Sequence, residues 1–290
     1  MKPAPFEYQR PDNLASVLEL LAEHGDEAKI LAGGQSLVPT MNFRLAQPGL
    51  LIDINRLGEL AYIRKDPAGL RIGAMTRQRA VEKSALVAEQ APLLAETIPY
   101  IAHPQIRNRG TFGGSIAHAD PAAELPAVML AHDARMRAVK QGSERWIAAD
   151  EFFVGLLATS LEPDELLVEI EVPALPAGTG HAFVEFARRH GDYALVGVAA
   201  RVMIDGKGLC TSTRVVLMSV AERPVIAASA AAALDGQKPA TEAIRAAAHD
   251  AATSDIEPHS DVHASSEYRR HLAEVLIARA VERAVARARG

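Results

Sequence analysis

The stretch Ile30-Leu31-Ala32-Gly33-Gly34-Gln35-Ser36-Leu37-Val38-Pro39 runs an apolar segment into two glycines and follows them with a hydroxyl residue. A second version stands at Thr111-Phe112-Gly113-Gly114-Ser115-Ile116, and the chain has no other Gly-Gly pair. Without a Cβ, glycine lets the backbone turn sharply or come close to a neighbour. Whether these pairs are plain turns or the walls of a cradle decides how the chain is read.

Working outward from the first pair, FEYQRP (6–11) reads as a strand ending at Pro11. Asp12 or Asn13 can cap a helix over LASVLELLAEHG, where Leu14, Val17, Leu18 and Leu21 share a face and Gly25 ends it. AKILAG and LLIDIN (50–55) follow as short strands, so the first glycine pair lies directly after a strand of a β-α-β opening. AYIRKDPAGLRIGAM reads as two strands around the turn Asp66-Pro67-Ala68-Gly69, and a helical region is expected from about Arg77 to Ile101. The second glycine pair then falls in an irregular segment, HPQIRNRGTFGGSIAHADP (103–121). AAELPAVMLAHDA reads as a helix, RMRAVKQGSERWIA as a hairpin, and ELLVEIEVP as a strand ending at Pro173. ALPAGTG (174–180) is the linker candidate. Beyond it come strands near 181–188, 195–204 and 212–219, then helices near 224–234, 240–252 and 265–289. Strands first and helices after indicate an α+β domain.

The bulk numbers narrow the function. The chain has 290 residues, 49% hydrophobic and 23% charged, with a net charge of −5. That fits a globular protein of about two domains and disfavours a nucleic-acid binder, which needs a basic excess or patch. One cysteine, Cys210, allows no intrachain disulfide and no cluster built on several thiolates. The N-terminal stretch lacks a signal-peptide core, and no apolar run approaches the roughly 18 residues of a membrane span. A cytoplasmic protein is expected. No G-x-G-x-x-G follows a strand, and neither a P-loop nor a G-x-S-x-G elbow is present. The ten histidines show no H-E-x-x-H spacing, and the neighbouring Asp261 and His263 have no evident nucleophile partner. The charges of the last helix read as a solvated face.

Backbone amides pointing into one concavity can hold a diphosphate, and only glycines let that backbone approach closely. Ser36, Thr111 and Ser115 add neutral donors. One pair alone favours the turn; two, each beside a hydroxyl, leave turn and dinucleotide cradle about level.

Four blocks settle the balance: LAGGQSLVPTMNFRLAQPGLLIDINRL (31–57), IAHPQIRNRGTFGGSIAHADPAAELPA (101–127), DELLVEIEVP (164–173) and RRHGDYALVGVAA (188–200). In this order and spacing the chain resembles the FAD-binding medium subunit of molybdenum hydroxylases, the xanthine dehydrogenase family, nearest to the flavoprotein subunit of carbon monoxide dehydrogenase. The resemblance implies an α+β architecture: a two-subdomain FAD-binding fold of the vanillyl-alcohol-oxidase (PCMH) type and an α+β C-terminal domain with a small antiparallel sheet plus helices. The implied units are 1–56, 57–176 and 177–290. It implies non-covalent FAD lying extended between domains. Ala32, Gly33, Gly34, Gln35, Ser36 and Leu37, with Thr111, Phe112, Gly113, Gly114 and Ser115, would hold its diphosphate region through backbone amides. Ala102 and Ile106 would line the cofactor, and Glu124 matches an acidic position that hydrogen-bonds it. Leu167 would pack near the adenine or the ring, and Tyr193 against one face of the isoalloxazine. No side chain need act as an acid or base.

Three departures from relatives are Gln35 where His is frequent, Ser115 where many have Asn, and Glu185 where Lys is frequent. The last replaces a cation by an anion near the flavin region. The implied role is electron transfer: a large partner subunit with the molybdenum cofactor oxidises substrate, and a small partner with 2Fe–2S clusters passes electrons on. FAD in this chain relays them to an acceptor. A dimer of heterotrimers is the implied assembly. A stand-alone FAD oxidase or reductase of the same fold, and a nucleotide-binding scaffold without flavin, are the other readings.

Overall fold

The computed structural model describes all 290 residues. The chain opens with β1 (Glu7–Gln9), α1 (Leu14–His24), β2 (Ala28–Leu31), α2 (Leu37–Asn42) and β3 (Leu50–Asp53). The three strands form a parallel sheet in the order β1-β3-β2. Of the two cap candidates, Asp12 and Asn13, it is Asn13 that caps α1, its side chain accepting from Ser16 N, and Gly25 ends the helix at φ +47°. Val17, Leu18 and Leu21 bury the helix face against Leu50 and Ile52. Burial of each such side chain contributes about 1.5–3 kcal/mol.

The second unit runs through β4 (Ile63–Asp66), β5 (Gly69–Gly73), α3 (Gln78–Glu82), α4 (Ala85–Gln90), α5 (Pro92–Thr97), α6 (Pro104–Arg107), α7 (Phe112–His118) and α8 (Glu124–Ala131). It continues with β6 (Arg135–Lys140), β7 (Ser143–Ala148), α9 (Ala149–Phe152), β8 (Phe153–Gly155), β9 (Ala158–Thr159) and β10 (Leu166–Pro173). An antiparallel sheet takes the order β4-β5-β10-β6-β7. β10 lies in the middle of that sheet, and its residues from Leu166 to Val172 are all buried. The helical region expected over 77–101 is real but broken. Ser84 starts α4 by accepting from Val87 N, and Pro92 cannot donate into a continuing helix, so α5 begins there. The segment read as irregular contains α6 and α7, so the second glycine pair lies inside the first turn of a helix rather than in a loop.

The C-terminal unit is an antiparallel sheet, β11 (Thr179–Phe186), β12 (Val196–Ile204), β13 (Cys210–Met218) and β14 (Val225–Ile226), followed by α10 (Ala228–Leu234), α11 (Thr241–Ser254) and α12 (Ser266–Arg289). Strands come first and helices after, as expected. One sheet face packs on the helices through Val198, Val202, Leu276 and Ala280. The other face places Phe183, Ala199, Val216 and Met218 in one core with Leu70, Phe112 and Leu130 of the second unit. Of the linker candidate 174–180, Thr179 and Gly180 already belong to β11. Gly180 runs directly under the α12 backbone at Ala284, where a Cβ has no room.

Candidate cofactor site

The first glycine stretch leaves β2 and feeds α2. Gly34 takes φ +71°, a conformation that costs other residues strain. Hydrogen bonds hold the stretch in shape: Val38 N donates to Gly34 O at 3.2 Å, Gln35 Nε2 to Gly33 O at 3.1 Å, and Thr40 Oγ1 to Leu37 O at 2.8 Å. From the end of β3, Asn55 Nδ2 donates to Ala32 O at 2.8 Å. The backbone amides of Gly33, Gly34, Gln35, Ser36 and Leu37 donate to no acceptor within the chain. All of these residues are half-buried. Consecutive unused donors at a concave turn form an anion cradle.

The second stretch is different. Phe112 N donates to Thr76 O at 2.8 Å and Gly113 N to Ala74 O at 2.9 Å. Gly114 N donates to Thr111 Oγ1 at 3.1 Å, and Ser115 N to Thr111 O. These amides are used internally, so the expected backbone donation from Phe112, Gly113, Gly114 and Ser115 does not match the geometry. The phenyl of Phe112 is wholly buried in the core, and Gly113 is glycine because Ala74 occupies the space of a Cβ. What this stretch offers a ligand is a smooth wall and the half-buried Ser115 side chain.

The two stretches touch. A Cβ on Gly33 would lie 2.6 Å from Arg109 O and 2.8 Å from Gly110 Cα, and a Cβ on Gly114 would lie 3.7 Å from the Ala32 Cβ. Beside the junction is an apolar cavity of about 90 Å³, lined by Ile30, Ala32, Gly113, Gly114, Leu161 and Leu167, with others. Leu167 thus lines the same cavity as Ala32, Gly113 and Gly114. Glu165, at its edge, is ion-paired with Arg145 at 2.7 Å; that pairing helps keep its carboxyl below the usual range despite burial.

Glu124 acts on Tyr193 by its charge, and Ala102 and Ile106 flank His103, on which the turn before Tyr193 packs. Ala102 sits at φ +43°, and its carbonyl accepts from buried Arg107 at 3.2 Å; Arg107 also bonds Ile101 O and pairs with Glu82. Such strain persists only where surroundings enforce it. Gly191 packs so tightly on the His103 ring that a side chain would not fit, which seats the 188–193 turn on this segment. Tyr193, at the end of that turn, is 68% exposed. Burial, helped by Asp120, pushes the Glu124 carboxyl up to about 7. Burial and the charge of Glu124 push Glu185 up to about 8. Glu185 Oε2 is buried without a hydrogen-bond partner.

The sequence reading did not single out Asn55, Arg77, Arg107 or the His103–Gly191 contact. The signal available for Asn55 was its place at the end of a strand parallel to the one that feeds the first glycine turn.

The comparisons agree with this geometry. The family described as the FAD binding domain in molybdopterin dehydrogenase covers residues 4–175, and the CO dehydrogenase flavoprotein C-terminal domain covers 181–284. The chain is 45% identical over 289 residues to the 6-hydroxypseudooxynicotine dehydrogenase complex subunit alpha of Paenarthrobacter nicotinovorans, covering 100% of this chain and 97% of that one. It is 40% identical to the carbon monoxide dehydrogenase medium chain of Hydrogenophaga pseudoflava, covering 99% of each. The solved carbon monoxide dehydrogenase of Hydrogenophaga pseudoflava, lacking the Mo-pyranopterin moiety, superposes with a TM-score of 0.95 at 42% identity over 99% of both chains. The chain belongs to the FAD-binding medium subunits of molybdenum hydroxylases, oxidoreductases of the carbon monoxide dehydrogenase and xanthine dehydrogenase family. Its two-part fold is an FAD-binding domain followed by the flavoprotein C-terminal domain.

Proposed function

We propose that this chain is the electron-transfer subunit of its complex. It binds FAD without a covalent bond, accepts electrons from the 2Fe–2S clusters of a small partner subunit, and delivers them to an external acceptor. A large partner subunit carries the molybdenum cofactor and oxidises the substrate. Bound FAD supplies a carrier able to exchange one or two electrons. The residues here bind, orient and enclose it, with none acting as a catalytic acid or base.

The observation that carries this reading is the row of unused amides from Gly33 to Leu37, packed against the second glycine pair. A diphosphate fits such donors in charge and shape. Ala32 and the Thr111–Ser115 backbone wall that cradle, and Leu167 offers an apolar face to one end of the dinucleotide. Ala102, Ile106, Glu124 and exposed Tyr193 would receive the other end. Segments 1–56 and 57–176 then form the two halves of the FAD-binding region and 177–290 the cap that completes it. A dimer of heterotrimers in the cytoplasm fits this role. A single buried thiol suits a reducing compartment, and no helix is long and apolar enough to cross a membrane.

The test is the visible spectrum of the purified chain, then identification of what denaturation releases. Free FAD, and co-purification with a large and a small chain, support the reading. A colourless chain that takes up no added FAD overturns it. A yellow chain that oxidises a small molecule without partners would be a stand-alone flavoenzyme.

A further inference from the structure

The two glycine stretches come from different subdomains, so something must fix their spacing. Gly33 contacts Arg109 and Gly110 only through close packing, which resists compression and does nothing against separation. A chain of hydrogen bonds crosses the same gap. Tyr8 of β1 donates to Asp53 Oδ2 at 2.5 Å. Asp53 Oδ1 accepts from Asn55 N at 2.8 Å and Asn55 Nδ2 at 2.6 Å. Asn55 Nδ2 reaches Ala32 O in the first stretch. Asn55 Oδ1 accepts from Arg77 Nη2 at 2.8 Å, and Arg77 Nη1 donates to Arg109 O, just before the second stretch. Gln78 N, the next residue, donates to Gly110 O at 2.9 Å.

We propose that Arg77, acting through Asn55, is a positioning residue for the diphosphate of the bound dinucleotide: its guanidinium fork ties the two glycine stretches into one cradle. This rests on the FAD reading above. The fork geometry suits the task, since one planar group donates to two acceptors on opposite sides of the gap. Arg77 is half-buried, and neither it nor the neighbouring exposed Arg109 is paired with a carboxylate. Two like charges held together at the cradle rim are an unfavourable arrangement that an arriving diphosphate relieves.

The experiment uses the full chain stripped of flavin and titrated with FAD and with ADP, for Arg77→Met, Arg77→Lys, Asn55→Ala and the Arg77→Met/Asn55→Ala double variant. Arg77→Met is expected to weaken both ligands about tenfold to a hundredfold, the size of a charge-assisted hydrogen bond. Arg77→Lys is expected to recover only part of the loss, because an ammonium keeps the charge and loses the fork. The double variant should lose no more than the worse single one, since both residues act in one chain of bonds. Ligand-free melting temperature controls for misfolding, and Asn55→Ala keeps the test open should Arg77→Met fail to fold. Full rescue by lysine, additive losses in the double variant, or unchanged affinity in Arg77→Met would each overturn the proposal. A parent chain that binds neither FAD nor ADP would instead overturn the FAD reading beneath it.

Discussion

Gly33 follows a strand of the three-stranded sheet and Gly110 lies between α6 and α7, yet a Cβ on Gly33 would stand 2.8 Å from the Gly110 Cα and 2.6 Å from Arg109 O. The obstacle is backbone on both counts, so no side chain can swing aside. Gly33→Ala must therefore push the two glycine stretches apart. Overpacking of this kind costs about 1–3 kcal/mol, and here the strain falls on the cradle itself. FAD content of the purified variant should drop along with its melting temperature. Gly58→Ala is the control: a Cβ there meets nothing within 4 Å and φ is not in the left-handed region, so neither quantity should change.

His132 gives the chain an acid-side stability limit. It is 1% exposed, with Nδ1 3.1 Å from Pro173 O and Nε2 buried without a partner. Burial pulls its pKa down to about 4. The unfolded chain therefore binds a proton below about 6.5 that the folded chain refuses until about 4. The folded pKa is depressed, so this contribution to stability is intact at neutral pH and is lost as pH falls through that window. The slope is about 1.4 kcal/mol per pH unit. Urea unfolding of the ligand-free chain at pH 7.5, 6.5 and 5.5 should show the decline, and His132→Gln should flatten it by about one proton's worth. An equal slope in the variant would assign the decline to other groups.

Glu185 acts in the opposite sense. Burial first, and then the charge of Glu124, raise its pKa from the ordinary carboxyl range to about 8. The folded chain thus holds a proton between about 4.5 and 8 that the unfolded chain has released, so stability falls as pH rises through that range. Glu185→Gln removes the ionisation while keeping the shape. Its ligand-free melting temperature should match the parent near pH 5 and exceed it near pH 8.5. A gap that stays constant with pH would mean that Glu185 does not titrate there. Glu185→Lys puts a cation beside Glu124, and its advantage over the parent should likewise appear only at the alkaline end.

What the sequence disclosed follows from how far each signal reaches along the chain. The face of α1, its cap to within one residue, its Gly25 stop, the hairpins and the buried run of β10 are local patterns, and they could be read directly. Helix α7 was missed because Phe112-Gly113-Gly114-Ser115 has poor helix formers at its start. Its first turn is held instead by Thr111 and by bonds to Ala74 O and Thr76 O, far upstream. The glycine pairs look alike as text and differ in cause. Gly33 is small to admit Arg109 and Gly110, Gly113 to admit Ala74. The Asn55–Arg77 link spans 22 positions and carries no periodicity, so only the fold reveals it.

Tyr193 separates a structural ring from a cofactor-facing one. It is 68% exposed, on a turn seated by the Gly191–His103 contact, beside Asp120 and Glu124. A residue so exposed contributes little to stability, typically within about 0.5 kcal/mol. Tyr193→Ala should therefore leave the ligand-free melting temperature nearly unchanged. If the ring covers one face of the bound isoalloxazine, the same variant loses a stacking contact of about 0.5–1.5 kcal/mol. FAD affinity then falls, and the fluorescence of the bound flavin rises as an aromatic quencher leaves. Tyr193→Phe keeps the ring and should keep both properties. ADP affinity should be the same in all three proteins, because ADP lacks the isoalloxazine. Equal flavin fluorescence in the parent and Tyr193→Ala, at saturating FAD, would remove Tyr193 from the ring's surroundings and leave the isoalloxazine to be placed elsewhere in the fold.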